Sequence, residues 1–261
     1  MSEEKQTPVG IILAIVAVVA VIVYAVSSGG DKGQQANNPE KPAEPEEPAF
    51  FKESLVAYYP LDGNTKDESG NGNDGEAKGA TLADDRHGNS NSAYAFDGVD
   101  DFLNVDSSSS LKITGDITLS VWVKFIEGGA GNPRIISHGG KQNGWELLSG
   151  KTAGSRVAFF HGGNKHRPED GTFKDDDSWV HILALKKESE VSLFVNGVKK
   201  QIETSGEPKQ VDFSPSLNIG RSSDHDNDYF KGSIDDVRIY NRALTEEQVK
   251  ALYEWEKPKA E

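Results

Sequence analysis

Residues 117–125 read Ile-Thr-Leu-Ser-Val-Trp-Val-Lys-Phe, and this stretch is the strongest indicator of the fold. Apolar side chains occupy every second position of it: Ile117, Leu119, Val121, Val123 and Phe125. Because side chains of a β-strand alternate between the two faces of a sheet, this spacing predicts a strand with one continuous apolar face. Such a face must be covered by a second layer of structure.

Three later segments continue the β pattern. Residues 179–187 (WVHILALKK) are apolar on both faces, which indicates a central strand that is covered on both sides. Residues 190–203 contain Asn196-Gly197 between two short runs, and this pair supplies the two positive φ angles of a type I′ hairpin turn. Residues 231–241 (KGSIDDVRIYN) are expected to form a late strand.

One helix is expected after the strands. Thr245 can cap its N-terminus, and Gln248 occupies the reciprocal position of a capping box, so the helix would run through Trp255. No other helix is predicted between residues 54 and 257. This region is therefore expected to be one all-β domain, with a sandwich or jelly roll as its architecture.

The composition agrees with short strands joined by tight turns. The chain has 261 residues, of which 27 are glycine, and 35% are apolar. Its formal net charge is −14, and a surface of this sign repels phosphate backbones, so nucleic acid is not an expected partner. The chain contains no cysteine, which excludes disulfides, thiolate metal sites and thiol catalysis.

An apolar segment precedes this domain. After the short tail 1–8, residues 9–26 (VGIILAIVAVVAVIVYAV) carry no charge, and a helix of that length spans about 27 Å, enough to cross a bilayer core. The segment is predicted to be a transmembrane helix. The alternative is the apolar part of a signal peptide cleaved before Ser28. Glu3 and Glu4 favour the anchor, because a signal peptide begins with positive charge.

Residues 27–53 connect the apolar segment to the domain. They are rich in glycine, glutamine and asparagine and then in proline and glutamate, a composition that cannot form a packed core. This stretch is predicted to be a flexible Gly/Pro/Glu-rich linker. It would tether the domain, residues 54–257, to the membrane.

Seven short sequence motifs of the domain occur together, in the order in which a known family has them. They are 57–64 (AYYPLDGN), 67–75 (DESGNGNDG), 95–102 (AFDGVDDF), 120–123 (SVWV), 179–181 (WVH), 193–197 (LFVNG) and 232–244 (GSIDDVRIYNRAL). Together they resemble the laminin-G-like domains of bacterial and archaeal surface proteins, within the concanavalin-A-like lectin group. The resemblance covers nearly the whole region after the linker and implies a concanavalin-A-like jelly-roll β-sandwich.

The resemblance also implies a structural calcium ion. Such families bind Ca²⁺ where the end of the first strand, a glycine carbonyl after an early strand and an aspartate of the last long strand converge. The matching positions here are Asp62, with Asn64 beside it, Gly98 and Asp235. Oxygen ligands of this kind suit Ca²⁺.

The alternation of side chains along the last strand gives separate support for a buried carboxylate. Asp235 shares its parity with Val237 and Ile239, which are expected in the core, and a buried carboxylate needs a partner. The alternatives to calcium are that Asp235 pairs with Arg238 or an asparagine, or that it is exposed at the end of the strand.

Patterns typical of catalysis are absent from the sequence. It contains no Glu-x-Asp-x-x-Glu run, which polysaccharide-cleaving enzymes of this fold share, no Gly-x-Ser-x-Gly elbow and no phosphate-binding loop. None of its six histidines has a partner at the i, i+4 spacing of helical metal ligands. The chain is therefore predicted not to be an enzyme.

Ligand contacts are predicted from one tryptophan and one loop. Sugar binding uses an exposed aromatic face with polar neighbours, and Trp145, next to Gly144, is the tryptophan expected to be partly exposed. His161, His166 and Arg167 belong to a polar loop. Since recognition in sandwich proteins is concentrated in loops, these three residues are predicted ligand contacts.

These expectations lead to three functional hypotheses. The first is a single-pass membrane protein that displays a lectin-like sandwich outside the cytoplasm, in the periplasm or at the cell surface, and binds a glycan or a protein without turnover. The second is a structural subunit of a surface layer, fibre or membrane complex that makes protein contacts only. The third is a polysaccharide hydrolase. The sequence leaves the oligomeric state open.

Overall fold

A computed structural model describes residues 47–126, 132–139, 144–149, 157–169, 178–207, 209–224 and 227–259. In these ranges sixteen β-strands form two antiparallel sheets, sheet A and sheet B, and one α-helix follows the last strand. The strands of sheet A are β1 (Leu55–Tyr59), β3 (Thr81–Ala83), β4 (Ala93–Asp97), β6 (Ile117–Phe125), β11 (Trp179–Lys187), β12 (Glu190–Val195), β13 (Val198–Lys200) and β16 (Lys231–Tyr240). The strands of sheet B are β2 (Gly75–Lys78), β5 (Phe102–Asp106), β7 (Arg134–His138), β8 (Trp145–Leu148), β9 (Ala158–His161), β10 (Asn164–Pro168), β14 (Ile202–Ser205) and β15 (Ser216–Ile219).

The strand orders show how the two layers are built. Sheet A runs β13-β12-β11-β6-β16-β4-β3, and β1 pairs with β16 beyond the end of β4. Sheet B runs β14-β10-β9-β8-β7-β15-β5-β2. The apolar faces of both sheets meet in one core, to which β6 contributes all five of its predicted inward residues. The predicted all-β sandwich is thus confirmed.

The outer face of sheet A is covered as well. Helix α1 (Glu246–Glu256) packs there over a second apolar cluster, and Thr245 and Gln248 form the predicted capping box at its N-terminus. Residues of β11 alternate between the two cores, which confirms the prediction of a strand covered on both sides. The hairpin is also confirmed, with positive φ at Asn196 and Gly197.

The domain begins earlier than predicted. Residues 47–53 were assigned to the linker, but the short 3-10 helix Ala49–Phe51 places Phe51 in the apolar cluster beneath α1, where it is 0% exposed. An aromatic side chain can pack in this way from a proline-rich stretch, which composition alone does not reveal. The predicted membrane span 9–26 and the rest of the linker lie outside the described residues. Among the described residues, no helix has the length and apolar character needed to cross a membrane.

The face of Asp235 was also predicted wrongly. The pairing of β16 with β6 shifts register between Asp235 and Arg238, and Asp236 adopts a positive φ of 44°. This β-bulge adds one residue, so Ile234 and Val237 both face the core while Asp235 lies on the outer face beneath α1. A regular two-residue alternation could not anticipate the change of parity.

A network of charged residues lies on this outer face. Arg86 pairs with both Asp235 and Asp236, at 2.5 and 2.7 Å, and Arg238 pairs with Glu256 of α1 at 2.8 Å. Each of these five side chains is at most 11% exposed. Paired charges of this kind stabilise a buried surface only while both partners are present.

His181 is a buried titratable residue beside this network. It is fully buried, its Nε2 atom lies 2.7 Å from Ser120 Oγ, and burial together with Arg86 and Arg238 lowers its pKa to about 3. The imidazole is therefore neutral at pH 7, and its contact of 3.9 Å with Glu256 is not an ion pair.

Replacing His181 by glutamine is expected to make unfolding less dependent on pH. Since the histidine pKa is depressed in the folded state, its contribution to stability is present above about pH 6.5 and is lost as the pH falls, by about 1.4 kcal/mol per pH unit. Urea unfolding of the wild type and the variant at about pH 7 and about pH 4.5 measures this. A difference in unfolding free energy that is the same at both pH values would contradict it.

Candidate functional site

A row of side chains crosses the outer face of sheet B. The residues stand directly opposite one another on all eight strands: Ser205, Lys165, Phe160, Glu146, Ser137, Asn218, Asn104 and Glu76. Their neighbours along the strands, among them Leu147, Phe159 and Leu217, belong to the core. Alternation therefore places this sheet B row on the face that points away from the core.

The centre of the row is a buried charge network. Glu146 accepts hydrogen bonds from Ser137 Oγ at 2.9 Å and from Arg134 Nε at 3.2 Å, and Arg134 Nη1 also donates to Asp228 Oδ2 at 2.9 Å. Arg134 and Glu146 are both 0% exposed. Burial raises the pKa of Glu146 to about 7, while Arg134 opposes that rise. This network orients the middle of the sheet B row.

Residues 221–224 cover this centre. The backbone N–H of Ser223 donates to Ser137 Oγ at 3.1 Å, and the Asn218 side chain donates to the Ser222 carbonyl at 3.2 Å. Ser223 Oγ also accepts from the backbone N–H of Gly139 at 2.9 Å. Any ligand on this face must therefore bind to one side of the covered centre.

On each side of the covered centre, the outer face of sheet B carries an aromatic ring with a cationic side chain above it. Phe160 is half-buried, and Lys165 Nζ lies 5.4 Å from its ring centroid. Across the sheet, the Phe102 ring is also half-buried, with Arg221 Cζ 3.8 Å from its centroid. A flat ring next to charged and amide groups provides both an apolar surface and hydrogen-bond donors for a polar ring-shaped ligand.

The geometry of Glu146 does not suit glycoside hydrolysis. That reaction needs two carboxyl groups that contact the substrate from opposite sides of the scissile bond. Both oxygens of Glu146 are already bound by Ser137 and Arg134, and the side chain has no exposed surface. Glu146 therefore cannot reach a ligand, and its role is to position the row.

The predicted ligand contacts fall on two different faces. Arg167 lies on the outer face of sheet B, is partly exposed and pairs with Glu203. Trp145 is 0% exposed and belongs to the core, so the prediction that it is partly exposed was wrong. The adjacent Gly144 led to that error. This glycine lets two backbones approach, because a Cβ there would overlap the His138 carbonyl.

His161 and His166 also lie on the inner face. They are 9% and 7% exposed, and the hairpin of β9 and β10 replaces the predicted loop. His166 Nδ1 lies 2.9 Å from Thr204 Oγ1 on the neighbouring strand. The structure thus separates Arg167 from the two histidines with which it was grouped.

The four predicted calcium ligands are not brought together. Asp235 is held by Arg86, so the alternative of an arginine partner applies, with Arg86 in place of Arg238. Gly98 follows Asp97, and Asp97 pairs with Lys231 at the start of β16. Asp235 lies four residues after Lys231 on the same strand, which is about 13 Å from Lys231. Asp62 and Asn64 are exposed. The ligands of one Ca²⁺ ion lie roughly 2.5 Å from it, so Gly98 and Asp235 do not fit a common ion.

A different group of carboxylates could hold a cation. Ligand oxygens of Asp97, Asp100 and Asp101 lie within 4.8 Å of one another, in the loop that contains Gly98. Two backbone N–H groups of the loop, those of Val99 and Asp100, donate to Asp97 Oδ1. Carboxylates and loop carbonyls are suitable calcium ligands. Calcium binding by this chain stays a prediction.

Sequence reasoning missed the sheet B row and its central pair. Arg134 and Glu146 are single charged residues in short apolar runs, residues 134–138 (RIISH) and 145–148 (WELL). A lone charge at a strand position with apolar neighbours is the one signal that could have identified them. The order and register of the strands, which bring the row together, could not be read from that signal.

Comparison with known proteins identifies the family. Residues 96–250 match a laminin-G-type family model described as the concanavalin A-like lectin/glucanases superfamily. A comparison with the sequences of characterised proteins gives no significant match.

Solved structures with the same fold include two kinds of domain. One is domain 4 of AbnA, a GH43 extracellular arabinanase from Geobacillus stearothermophilus, with 21% identity and a TM-score of 0.59 over 77% of this chain and 98% of that one. Another is the botulinum neurotoxin serotype D binding domain, with 16% identity and a TM-score of 0.55 over 78% of this chain and 52% of that one. The chain thus spans about half the length of the toxin domain.

The family match covers more than half of the chain, and the two packed antiparallel sheets agree with it. The chain therefore belongs to the concanavalin A-like lectin/glucanase superfamily.

Proposed function

We propose that the domain is a non-catalytic carbohydrate-binding module and that a glycan binds on the outer face of sheet B. The observation that carries this proposal is the sheet B row, in which half-buried Phe160 and Lys165 stand beside a centre fixed by buried hydrogen bonds. An aromatic ring can stack on the apolar face of a sugar, while the neighbouring donors bind its hydroxyl groups.

Two structural neighbours support a glycan as the ligand class. The similar arabinanase domain was solved in complex with arabinotriose. A second similar structure is that of botulinum neurotoxin type C, whose entry into cells depends on interaction with two ganglioside molecules. These proteins share the fold with this chain at 21% and 14% identity, so the position of the glycan is argued from the sheet B row alone.

The absence of turnover is proposed on chemical grounds. On the outer face of sheet B, Glu146 is the carboxylate at the centre of the row, and its two oxygens are occupied by Ser137 and Arg134. A buried carboxylate fixed in this way cannot donate a proton to a glycosidic oxygen or activate water. Glu146 therefore supplies neither the acid nor the base that turnover of a glycan on this face would need.

Replacing Phe160 by alanine is expected to weaken glycan binding roughly tenfold, which corresponds to about 1.4 kcal/mol. The reason is the loss of the stacking surface on one side of the row. The affinity of the full-length chain for the strongest ligand on a glycan array measures this. Leu82→Ala removes an apolar side chain that is 42% exposed on edge strand β3, and it serves as the matched control with unchanged affinity.

An array on which the wild type binds no glycan would overturn the proposed function. Equal affinities for the wild type and Phe160→Ala would instead leave glycan binding in place and reject its location on the sheet B row.

We also propose that residues 9–26 anchor the domain to a membrane and place it outside the cytoplasm. The uncharged length of this segment supports the proposal. Protease treatment of intact cells should then remove the domain, whereas a domain that is degraded only after lysis would contradict the placement.

A further inference from the structure

The ring of Phe102 on the outer face of sheet B lies between two cationic side chains. Arg221 Cζ is 3.8 Å from the centroid of the ring, and Lys78 stands directly opposite Phe102 on the edge strand β2. Cβ atoms of opposite residues on antiparallel strands are about 4.5–5.5 Å apart, so the lysine side chain starts beside the ring. Two positive charges are therefore held at one end of the sheet B row.

The side chains around this ring have surface that a ligand can reach. Phe102 and Arg221 are half-buried, and the Lys78 side chain is 43% exposed. Asn104 follows Phe102 by two residues, so it lies on the same face, and it is half-buried as well. A guanidinium, an ammonium and an amide thus surround one accessible position on the sheet.

The position of Arg221 is fixed by the glycine before it. The Gly220 N–H donates to the Ile135 carbonyl at 2.9 Å. A Cβ on Gly220 would lie 2.6 Å from the Phe96 ring, so the backbone here is packed tightly against β4. This anchored backbone and the contact with Phe102 orient the guanidinium before a ligand arrives, which reduces the entropy that binding costs.

The Phe102 end of the row differs from the Phe160 end in what it presents. The Arg221 guanidinium touches the Phe102 ring, whereas Lys165 Nζ is 5.4 Å from the Phe160 centroid, beyond contact distance. A ligand at the Phe102 end therefore meets the guanidinium rather than the face of the ring. The N–H groups of a guanidinium lie at the edges of its plane, and their fixed fork matches the two oxygens of a carboxylate.

The carboxylates near this ring leave its positive character in place. The chain has a net charge of −14, so it attracts an anion only where cations are concentrated, as they are at Arg221 and Lys78. Glu76, on the same face, pairs with Lys78 and offsets one of the two charges. Asp101 points to the opposite side of β5, where it accepts the N–H of Asp97 at 3.0 Å.

We propose that Arg221 and Lys78 form a second subsite on sheet B, which binds a sugar unit that carries a carboxylate. The carboxylate accepts hydrogen bonds from the Arg221 guanidinium, and Asn104 and Lys78 bind hydroxyl groups of the same sugar. The proposal rests on the proposed glycan-binding function and names an acidic glycan as its ligand. The subsite is four strands away from the strand of Phe160, roughly 19 Å across the sheet, so the two subsites can be tested separately.

Two pairs of sugars that differ in one group test the proposal. D-Glucuronate and D-galacturonate carry a carboxylate where D-glucose and D-galactose carry their terminal hydroxymethyl group. Nuclear magnetic resonance titration of the ¹⁵N-labelled full-length chain gives each dissociation constant from the backbone amide signals of Phe102, Asn104 and Arg221. In at least one pair the acid is expected to bind at least about tenfold more tightly, because its hydrogen bonds to the guanidinium are charge-assisted.

Salt and acetate identify what is recognised. Raising the NaCl concentration from about 0.05 M to about 0.5 M should weaken binding of the acid and leave binding of the neutral sugar unchanged. Acetate carries the carboxylate without the sugar ring, so it should bind more weakly than the acidic sugar. Equal affinities for acetate and the acidic sugar would show a site for anions that does not recognise sugar, and would overturn the proposal.

Variants of Arg221 test its role directly. Arg221→Gln should lower the affinity for the acidic sugar to that for its neutral partner. Arg221→Lys should restore only part of it, because lysine keeps the charge but lacks the planar donors. Lys52→Gln is the matched control with unchanged affinities, since it removes the same charge from a side chain that is 76% exposed after the 3-10 helix Ala49–Phe51. The indole signals of the four tryptophans report whether each variant is folded.

Three results would overturn this subsite. They are equal affinities for acid and neutral sugar in both pairs, shifts that avoid Phe102, Asn104 and Arg221, and a folded Arg221→Gln variant that binds the acid as tightly as the wild type. If Arg221→Gln does not fold, the sugar pairs and the salt dependence of the wild type decide alone. A chain that binds glycans on an array through Phe160 but does not distinguish acid from neutral sugar would reject this subsite alone. Failure of all glycan binding would reject the proposed function itself.

Discussion

Replacing Arg134 by methionine is expected to destabilise the domain by about 3–5 kcal/mol and to abolish glycan binding on sheet B. Arg134 is the shared partner of Glu146 and Asp228, and its side chain is 1% exposed. Its loss leaves Glu146 buried without its cation, in a position where burial already raises the carboxyl pKa. The centre of the sheet B row then loses the bonds that orient it.

Thermal unfolding of Arg134→Met measures the effect, with an expected fall in Tm of roughly 6–20 °C for a domain of this size. Arg167→Met is the matched control, because Arg167 lies on the same face but its pair with Glu203 is exposed. An exposed pair of this kind contributes about 0–1 kcal/mol. Similar losses of stability in the two variants would show that the buried network has no special role.

Replacing Glu256 by alanine is expected to destabilise the domain by about 3 kcal/mol and to loosen helix α1. Glu256 accepts hydrogen bonds from Arg238 Nε at 2.8 Å and Trp122 Nε1 at 2.9 Å, and it is 3% exposed. Without it, the Trp122 indole has no acceptor and α1 loses its ionic contact with β16. Breaking a buried ion pair usually costs about 3–5 kcal/mol, and the lower end applies here because Arg238 keeps a second carboxylate, Glu47, at 3.6 Å.

Urea unfolding and amide hydrogen exchange of Glu256→Ala test this prediction. Exchange should accelerate in α1 while the strands of sheet B keep their protection, since the lost contacts lie only on sheet A. Glu254→Ala is the matched control, because the contact that Glu254 forms within the described part of the chain is an exposed i, i+3 pair with Lys257. Unchanged exchange in α1 of the Glu256 variant would contradict the role of this residue.

The strands could be predicted because the features that determine them lie close together in the sequence. Alternation in residues 117–125, the Asn196-Gly197 turn and the capping box at Thr245 each depend on neighbours within a few residues. All three features are present as expected. The face of Asp235 could not be predicted, since the bulge at Asp236 adds one residue that leaves no mark on the apolar spacing.

The candidate site, by contrast, depends on residues that are far apart in the sequence. Phe160, Glu146, Ser137 and Asn218 become neighbours only through the register of four strands, and that register is determined by the packing of the whole sandwich. The partner of Asp235 shows the same dependence. Arg86 is 149 residues away in the chain, so the sequence suggested the nearer Arg238 instead.

Hydroxyl-radical footprinting of the full-length chain, with and without the strongest glycan ligand from the array, tests the position of the binding face most directly. We expect oxidation of Phe160 to fall when the glycan is bound, while Leu82 on the edge of sheet A and Tyr253 on α1 keep their reactivity. Protection of Leu82 or Tyr253 with no change at Phe160 would contradict a binding face on sheet B.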